Sequence, residues 1–314
     1  MRRLWGTFRK IYWMPYIEKC KKEQRLQDGV VFFDSYAKYR RRKIQHLNWG
    51  DDLNYYFFTY ICQEKFIGIP YTVLKFKGEH YLLIGSVLNF LDMDNSIIYG
   101  SGIGNPSQQL TGRPRKVLSV RGPKTRNVLL ENGIECPEKY GDPALLLSLF
   151  YKPEVTKKNI ISIIPNERTV MEEKDDIVKK LVQNYGCRLI NPRKYNDWRD
   201  VINEICESKL VVSESLHGLI VAESYGIPSV WVEFMEHNAD WDFKFLDFYE
   251  SIGKFNMQSI KLHQTLNWNA VTDAENQWQI GSIDYETLLE AFPFNIKNDM
   301  KIKNEKFQFT VNKE

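Results

Sequence analysis

His217 is the residue around which a reaction could be built. It lies in Ser213-Glu214-Ser215-Leu216-His217-Gly218-Leu219, directly after the apolar Leu210-Val211-Val212 and ahead of Gly226-Ile227-Pro228. The valine-rich triplet reads as the end of a buried strand, Ser215 as a helix N-cap, and Gly226 with Pro228 as the helix stop. His217 then falls in the first helical turn, where backbone N–H groups have no intrahelical partner and the dipole is positive. A phosphate or carboxylate bound there comes within reach of the imidazole. The empty terminus lowers a histidine pKa and a bound dianion raises it, so such a ligand arms its own proton donor.

Further candidates stand where predicted strands end. Asn48-Trp49-Gly50-Asp51-Asp52-Leu53-Asn54 reads as a turn into a helix capped by a carboxylate, with Asn48, Gly50 and Asp51 open to a ligand. Asp51 reads equally well as a plain cap. Gly100-Ser101-Gly102-Ile103-Gly104 follows the strand Ile97–Tyr99, and its glycines would let backbone approach a ligand closely. The G-x-G-x-G spacing is not the dinucleotide fingerprint, which excludes a nicotinamide cofactor. Arg121 stands just past the strand Val117–Val120, before Gly122 and a Pro123 suited to the first helical position. A guanidinium at the carboxyl end of a parallel strand suits bidentate binding of phosphate or carboxylate. Lys244 lies in Trp241–Tyr249, the stretch that follows the last predicted strand.

These positions need a frame. Strands are predicted at Val30–Phe33, Leu82–Ile84, Ile97–Tyr99 and Val117–Val120, then at Ile160–Ile164, Cys187–Ile190, Leu210–Val212 and Val230–Val232. In the second half they alternate with helices at Glu172–Tyr185, Trp198–Glu207 and Leu216–Tyr225. The expected class is α/β: two Rossmann-like parallel-sheet domains facing a cleft. The polar Tyr151–Lys158 stretch sets the boundary, giving an arm at 1–28, domains at 29–152 and 153–260, and a C-terminal extension at 261–314 without strong periodicity.

Composition narrows the function classes. The 314 residues are 43% hydrophobic and carry a net charge of only +3, so a globular protein is expected and no global polycation argues for nucleic acid. The five cysteines form no C-x-x-C pair, which implies reduced thiols and a cytoplasmic protein. No run of eighteen apolar residues occurs, and no signal-peptide core is expected. The arm interleaves Arg2, Arg3, Arg9, Lys10 and Lys19 with Trp5, Phe8, Tyr12 and Trp13, which suits either peripheral contact with an anionic membrane or a solvated surface segment.

Five motifs, in this order, resemble the polysaccharide pyruvyl transferase family over roughly residues 45–250: Asn48–Asn54, Gly100-Ser101-Gly102, Ser119-Val120-Arg121-Gly122-Pro123, Gly141-Asp142-Pro143 with Ala144–Leu147, and Ser215–Ile220 with Gly226-Ile227-Pro228. The resemblance implies a GT-B-like two-domain architecture. It further implies transfer of the enolpyruvyl carbons of phosphoenolpyruvate to a sugar as a cyclic ketal, the acceptor being a lipid-linked saccharide at the inner face of the plasma membrane. The family's histidine falls on His217 and its arginine on Arg121. Many members carry a second arginine two residues before the histidine; here that position is Ser215, and Lys244 is the candidate replacement.

In this reading Arg121, Lys244 and the helix start Ser215-Leu216-His217-Gly218 hold the donor, His217 protonates the methylene carbon, and Glu214 or Asp51 accepts hydroxyl protons. Neither a metal nor a cofactor is required, because carbon protonation activates the leaving phosphate. Two other readings compete. A nucleotide-sugar glycosyltransferase of the same architecture would use Glu223 to grip a ribose. A non-catalytic saccharide- or RNA-binding protein would use the basic loop Lys38–Lys43, although only charge supports it.

Overall fold

The computed structural model describes residues 30–34, 38–40, 43–45, 48–69, 78–171 and 176–300. The basic aromatic arm and the lysines from Lys301 onward lie outside them. The first half runs β1 (Val30–Asp34), β2 (Lys38–Arg40), β3 (Lys43–Gln45), α1 (Trp49–Ile61), β4 (Lys65–Ile69), β5 (His80–Leu82), β6 (Ser96–Tyr99), β7 (Lys116–Ser119), α2 (Pro123–Glu131), a 3-10 turn (Pro143–Leu146) and α3 (Leu147–Phe150). The second runs β8 (Ile161–Ile164), α4 (Glu167–Met171), α5 (Asp176–Tyr185), β9 (Arg188–Leu189), α6 (Trp198–Glu207), β10 (Leu210–Ser213), α7 (Leu216–Ser224), β11 (Ser229–Glu233), α8 (Phe243–Ser251), β12 (Ile260–Lys261), α9 (Trp268–Gln277) and α10 (Tyr285–Glu290).

Each half carries a five-stranded sheet, ordered β4-β1-β5-β6-β7 and β12-β11-β10-β8-β9. Both sheets are parallel throughout. Every residue of the central β10 and of β11 is buried, as expected of strands covered on both faces. β2 and β3 form a separate antiparallel ribbon.

The expected alternation of strand and helix is present, with local differences. The turn at residues 48–54 is already helical from Trp49, and its cap is Asn48 rather than a carboxylate: the Asn48 side chain accepts from the Gly50 N–H at 3.1 Å. α4 and β4 were not anticipated; both are only five residues long.

The two halves also share one core. Phe33, Leu53, Phe57 and Leu146 belong to the same buried cluster as Leu216, Ile220, Trp231 and Phe245, so α1, the 3-10 turn and α7 close the halves against each other. The extension expected after residue 260 is not a separate appendage. β12 joins the second sheet beside β11, and the chain then returns to the first half. There Phe292 and Phe294 pack on Phe58, and Phe294 also on Phe66 and Tyr81. Its helices are started by local caps, Asn267 accepting from Ala270 N–H and Asp284 from Thr287 N–H. Only Val271 is buried in α9, which is why its periodicity is faint.

Candidate functional site

His217 is the second residue of α7, and only 6% of it is exposed. The cap position is Ser215 as expected, but its side chain makes no cap bond. Ser213 shapes the turn instead, its hydroxyl accepting from Ser215 N–H at 3.0 Å and donating to Ser215 O at 2.8 Å. Gly218 is packing-limited: a Cβ there would come within 2.5 Å of Ser213 Oγ.

The start of α1 meets the start of α7. A Cβ on Gly50 would stand 2.0 Å from His217 Nδ1, so glycine is what lets the imidazole lie against α1. Two helix N-termini therefore stand side by side with their positive ends, the first N–H groups of α7 being open among the described residues while those of Trp49 and Gly50 in α1 go to Pro192 O and Asn48 Oδ1. The first residue of α4 closes another side, where Asn48 Nδ2 donates to Glu167 Oε2 at 3.4 Å. Asp51 lies beside Glu167, and burial, Glu167 and Asp52 together push its carboxyl well above the ordinary range, against the pull of Lys244 and Asn48.

Lys244, the second residue of α8, forms no hydrogen bond or ion pair with any described residue. Its ammonium sits 3.4 Å from the centre of the Trp241 ring. His237 stacks on Trp241 at 3.7 Å with ring planes 5° apart, so the indole is held between an imidazole and a cation. Burial lowers the Lys244 pKa to about 8, Glu167 working against it and Arg121 and Arg168 with it. Burial, reinforced by the charges of Arg121 and Lys244, takes His217 down to about 3, so the imidazole of the empty site is neutral. Those couplings place His217, Lys244, Arg121, Asp51 and Glu167 in one electrostatic cluster.

Four sequence expectations need correcting. Arg121 does not present its fork to a ligand. It is fully buried: Nε donates to Asp247 Oδ2 at 2.9 Å, Nη2 to Ile103 O at 2.7 Å and Nη1 to Ser86. Its charge still reaches the site, but its hydrogen bonds join the first half to α8, helped by Thr125, which also donates to Asp247. Second, Gly100, Ser101 and Gly102 do not open backbone to a ligand. A Cβ on Gly100 would strike Pro143, one on Gly102 would strike the Arg121 guanidinium, and Ser101 is fully buried, donating to Gly85 O.

Third, Glu214 is not a proton acceptor for substrate. Its carboxylate is fully buried and accepts from Asn166 N–H, Thr169, Phe234 N–H, Met235 N–H and His237. Burial alone would raise its pKa, but these donors hold it below the ordinary carboxylate value. Fourth, Glu223 cannot grip a ribose. It is fully buried and taken up by Lys254, by Trp278 Nε1 at 3.0 Å and by Gly281 N–H at 3.1 Å.

Asp142, Glu167, Trp241 and His237 gained no role from the sequence. Asp142 had the clearest signal, standing before Pro143 as a cap does. Glu167 opens a five-residue helix and His237 sits in a polar loop, neither with a periodicity to single it out. Leu216 is buried at the helix start, and Ser215 is 9% exposed. No described helix is long and apolar enough to cross a membrane.

Comparison with known proteins agrees with the motifs. The family described as polysaccharide pyruvyl transferase matches residues 9–234. The chain is 27% identical over 218 residues to the succinoglycan biosynthesis protein ExoV of Rhizobium meliloti (strain 1021), a match covering 67% of this chain and 63% of that protein. It is 26% identical over 222 residues to the uncharacterized protein L143 of Acanthamoeba polyphaga mimivirus, covering 67% of this chain and 72% of that one. No solved structure matches.

Proposed function

Because the chain belongs to the polysaccharide pyruvyl transferase family, we propose that it moves the enolpyruvyl group of phosphoenolpyruvate onto a sugar of an exopolysaccharide or capsule precursor, forming a cyclic pyruvate ketal. The observation that carries this reading is the place of His217, at the start of α7 and against Gly50 at the start of α1, in one cluster with a lysine that pairs with no described carboxylate.

The donor brings a phosphate and a carboxylate. The open N–H groups at the start of α7 and the Lys244 ammonium bind them, with the dipole of α1 and Arg121, from behind Gly102, adding positive potential. Asp51, kept protonated by burial and by Glu167, donates to the anion instead of repelling it. His217 delivers a proton to the methylene carbon, and positive charge develops at C2. One sugar hydroxyl attacks C2, phosphate leaves, and a second hydroxyl closes the ketal. Lys244 takes the place of the arginine that many members carry at the position of Ser215.

The groove of about 390 Å³ between α2 and α8 suits a polyol acceptor, with Asn127, Glu131, Asp240 and Asp242 to accept and donate and Phe243 as a stacking face. Its Asp242–Phe243 wall immediately precedes Lys244. In this reading the acceptor is lipid-linked and the arm at 1–28 holds the protein on the anionic inner face of the membrane, the two sheets forming a GT-B-like pair. The taken-up Glu223 speaks against nucleotide-sugar transfer.

The test is incubation with phosphoenolpyruvate and a panel of free and lipid-linked saccharides. Phosphate release and an acceptor gaining the mass of one pyruvate less water are expected. His217→Asn should fold normally and lose at least about 10²-fold in kcat. A variant that turns over normally, or a wild-type protein active only with nucleotide sugars, overturns the reading.

A further inference from the structure

Asp142 caps the 3-10 turn with one oxygen only: Oδ1 accepts from Ala144 N–H at 2.9 Å. The other, Oδ2, stands 3.8 Å from His217 Nε2. Both atoms are sealed from solvent, and among the described residues neither has a hydrogen-bond partner of ordinary geometry, although the Gly85 N–H stands close enough to the carboxylate to lower its pKa. A buried polar atom without a partner is costly, and two that face each other across a gap about 1 Å too wide for a hydrogen bond form a contact ready to close. The other ring nitrogen, Nδ1, lies against Gly50 on the side where the donor is read to bind.

We propose that Asp142 and His217 form a proton relay, the Asp142 carboxylic acid feeding Nε2 while Nδ1–H supplies the reacting carbon. The inference rests on the pyruvyl-transfer reading and adds where the proton comes from. In the first step the enol C=C pair takes the proton from Nδ1, Nε2 takes the proton from Oδ2, and C2 is left cationic. Asp142 becomes a carboxylate and the imidazole stays neutral, now with its hydrogen on Nε2. When the sugar hydroxyl attacks C2, its proton goes to Nδ1 and the Nε2 proton returns to Oδ2. One pair thus acts as acid and then as base, and both groups end as they began.

The surroundings favour that arrangement. Arg121 from the end of β7 and Lys244 from α8 oppose an imidazolium, and burial opposes any charge in the pair. Burial raises Asp142 to about 7, against the Ala144 and Gly85 N–H groups and the Arg121 charge, which lower it, and with Asp247, which raises it. Asp51 of α1 and Glu167 of α4 face the same pocket. Between the His217 value of about 3 and the Asp142 value of about 7 the pair therefore holds one transferable proton on the carboxyl and one hydrogen on the ring.

Asp142→Asn provides the test, because its amide can keep the Ala144 cap and donate to Nε2 but cannot release a proton. The expected result is a kcat reduced by about 10²-fold, a phosphoenolpyruvate KM changed by less than about threefold, and loss of the alkaline limb of kcat/KM expected of the wild type near pH 7. Full activity with the limb intact overturns the relay. Nitrogen-15 NMR of the wild-type histidines, with His217 assigned by its absence from His217→Asn, needs neither substrate nor a folded Asp142 variant. It should show a neutral ring with hydrogen on Nδ1 at pH 6. A ring that titrates to imidazolium near pH 6.5, or that carries hydrogen on Nε2 below pH 7, excludes the relay. A wild type silent with phosphoenolpyruvate would sink the transferase reading and leave the NMR result to judge the pair.

Discussion

At the scale of single residues, the site depends on a missing side chain as much as on the imidazole. Gly50 is the second residue of α1, where alanine is a better helix former by about 1 kcal/mol. A methyl group there would stand 2.0 Å from Nδ1 and must displace the ring. Gly50→Ala is therefore expected to lower Tm in thermal denaturation, the clash with the buried ring outweighing the helix gain, and to cut kcat by about 10²-fold, a misplacement effect. A lower Tm with unchanged kcat would show that the glycine serves folding alone. His217 was recognisable from its helix-start pattern. Asp142 was not assigned its role, because the distance that matters links positions 75 residues apart in sequence.

At the scale of elements, Glu214 organises the segment that holds Lys244 in place. Its two oxygens take donors from α4, from the end of β11 and from His237, and His237 stacks on the Trp241 that carries Lys244. Glutamine offers one acceptor oxygen and an NH2 that would face N–H donors. Glu214→Gln should cost roughly 3 kcal/mol in urea denaturation, with activity per folded molecule far less affected than in His217→Asn. Normal stability would mean that the network relaxes around the amide. Because donors depress its pKa, the stabilisation that Glu214 gives the wild type is present above the unfolded value of about 4.3 and is lost as pH falls through the folded one. The sequence showed these helices and strands well, since caps and periodicity act over a few residues; it could not show that one carboxylate joins three of them.

At the scale of the whole molecule, buried carboxyl groups link the halves and make stability depend on pH in the opposite sense. Asp52 of α1 accepts from Tyr195 of the β9–α6 loop, and burial raises its pKa to about 7 although that hydrogen bond lowers it. The folded state then binds this proton more tightly than the unfolded chain between pH 3.8 and about 7, so the contribution of Asp52 is fully favourable below that window and falls as pH rises through it. Asp52→Asn should stabilise the protein at pH 8 by at most about 4 kcal/mol, with most of the gain absent at pH 4. An equal effect at both pH values would exclude titration of Asp52 as the cause.

The sequence by itself determined the α/β class, most strand and helix positions, the family resemblance and the placement of His217 at a helix start. Each follows from signals between close neighbours along the chain: apolar runs, caps, glycine stops. Only the tertiary structure decided that Arg121 grips Asp247 across 126 residues and that Glu214 and Glu223 are spent on internal donors. It also decided that the last helices return to the first half. Burial and charge pairing arise from groups far apart in the chain, and an arginine or glutamate has the same local signature whether it faces a ligand or another part of its own fold.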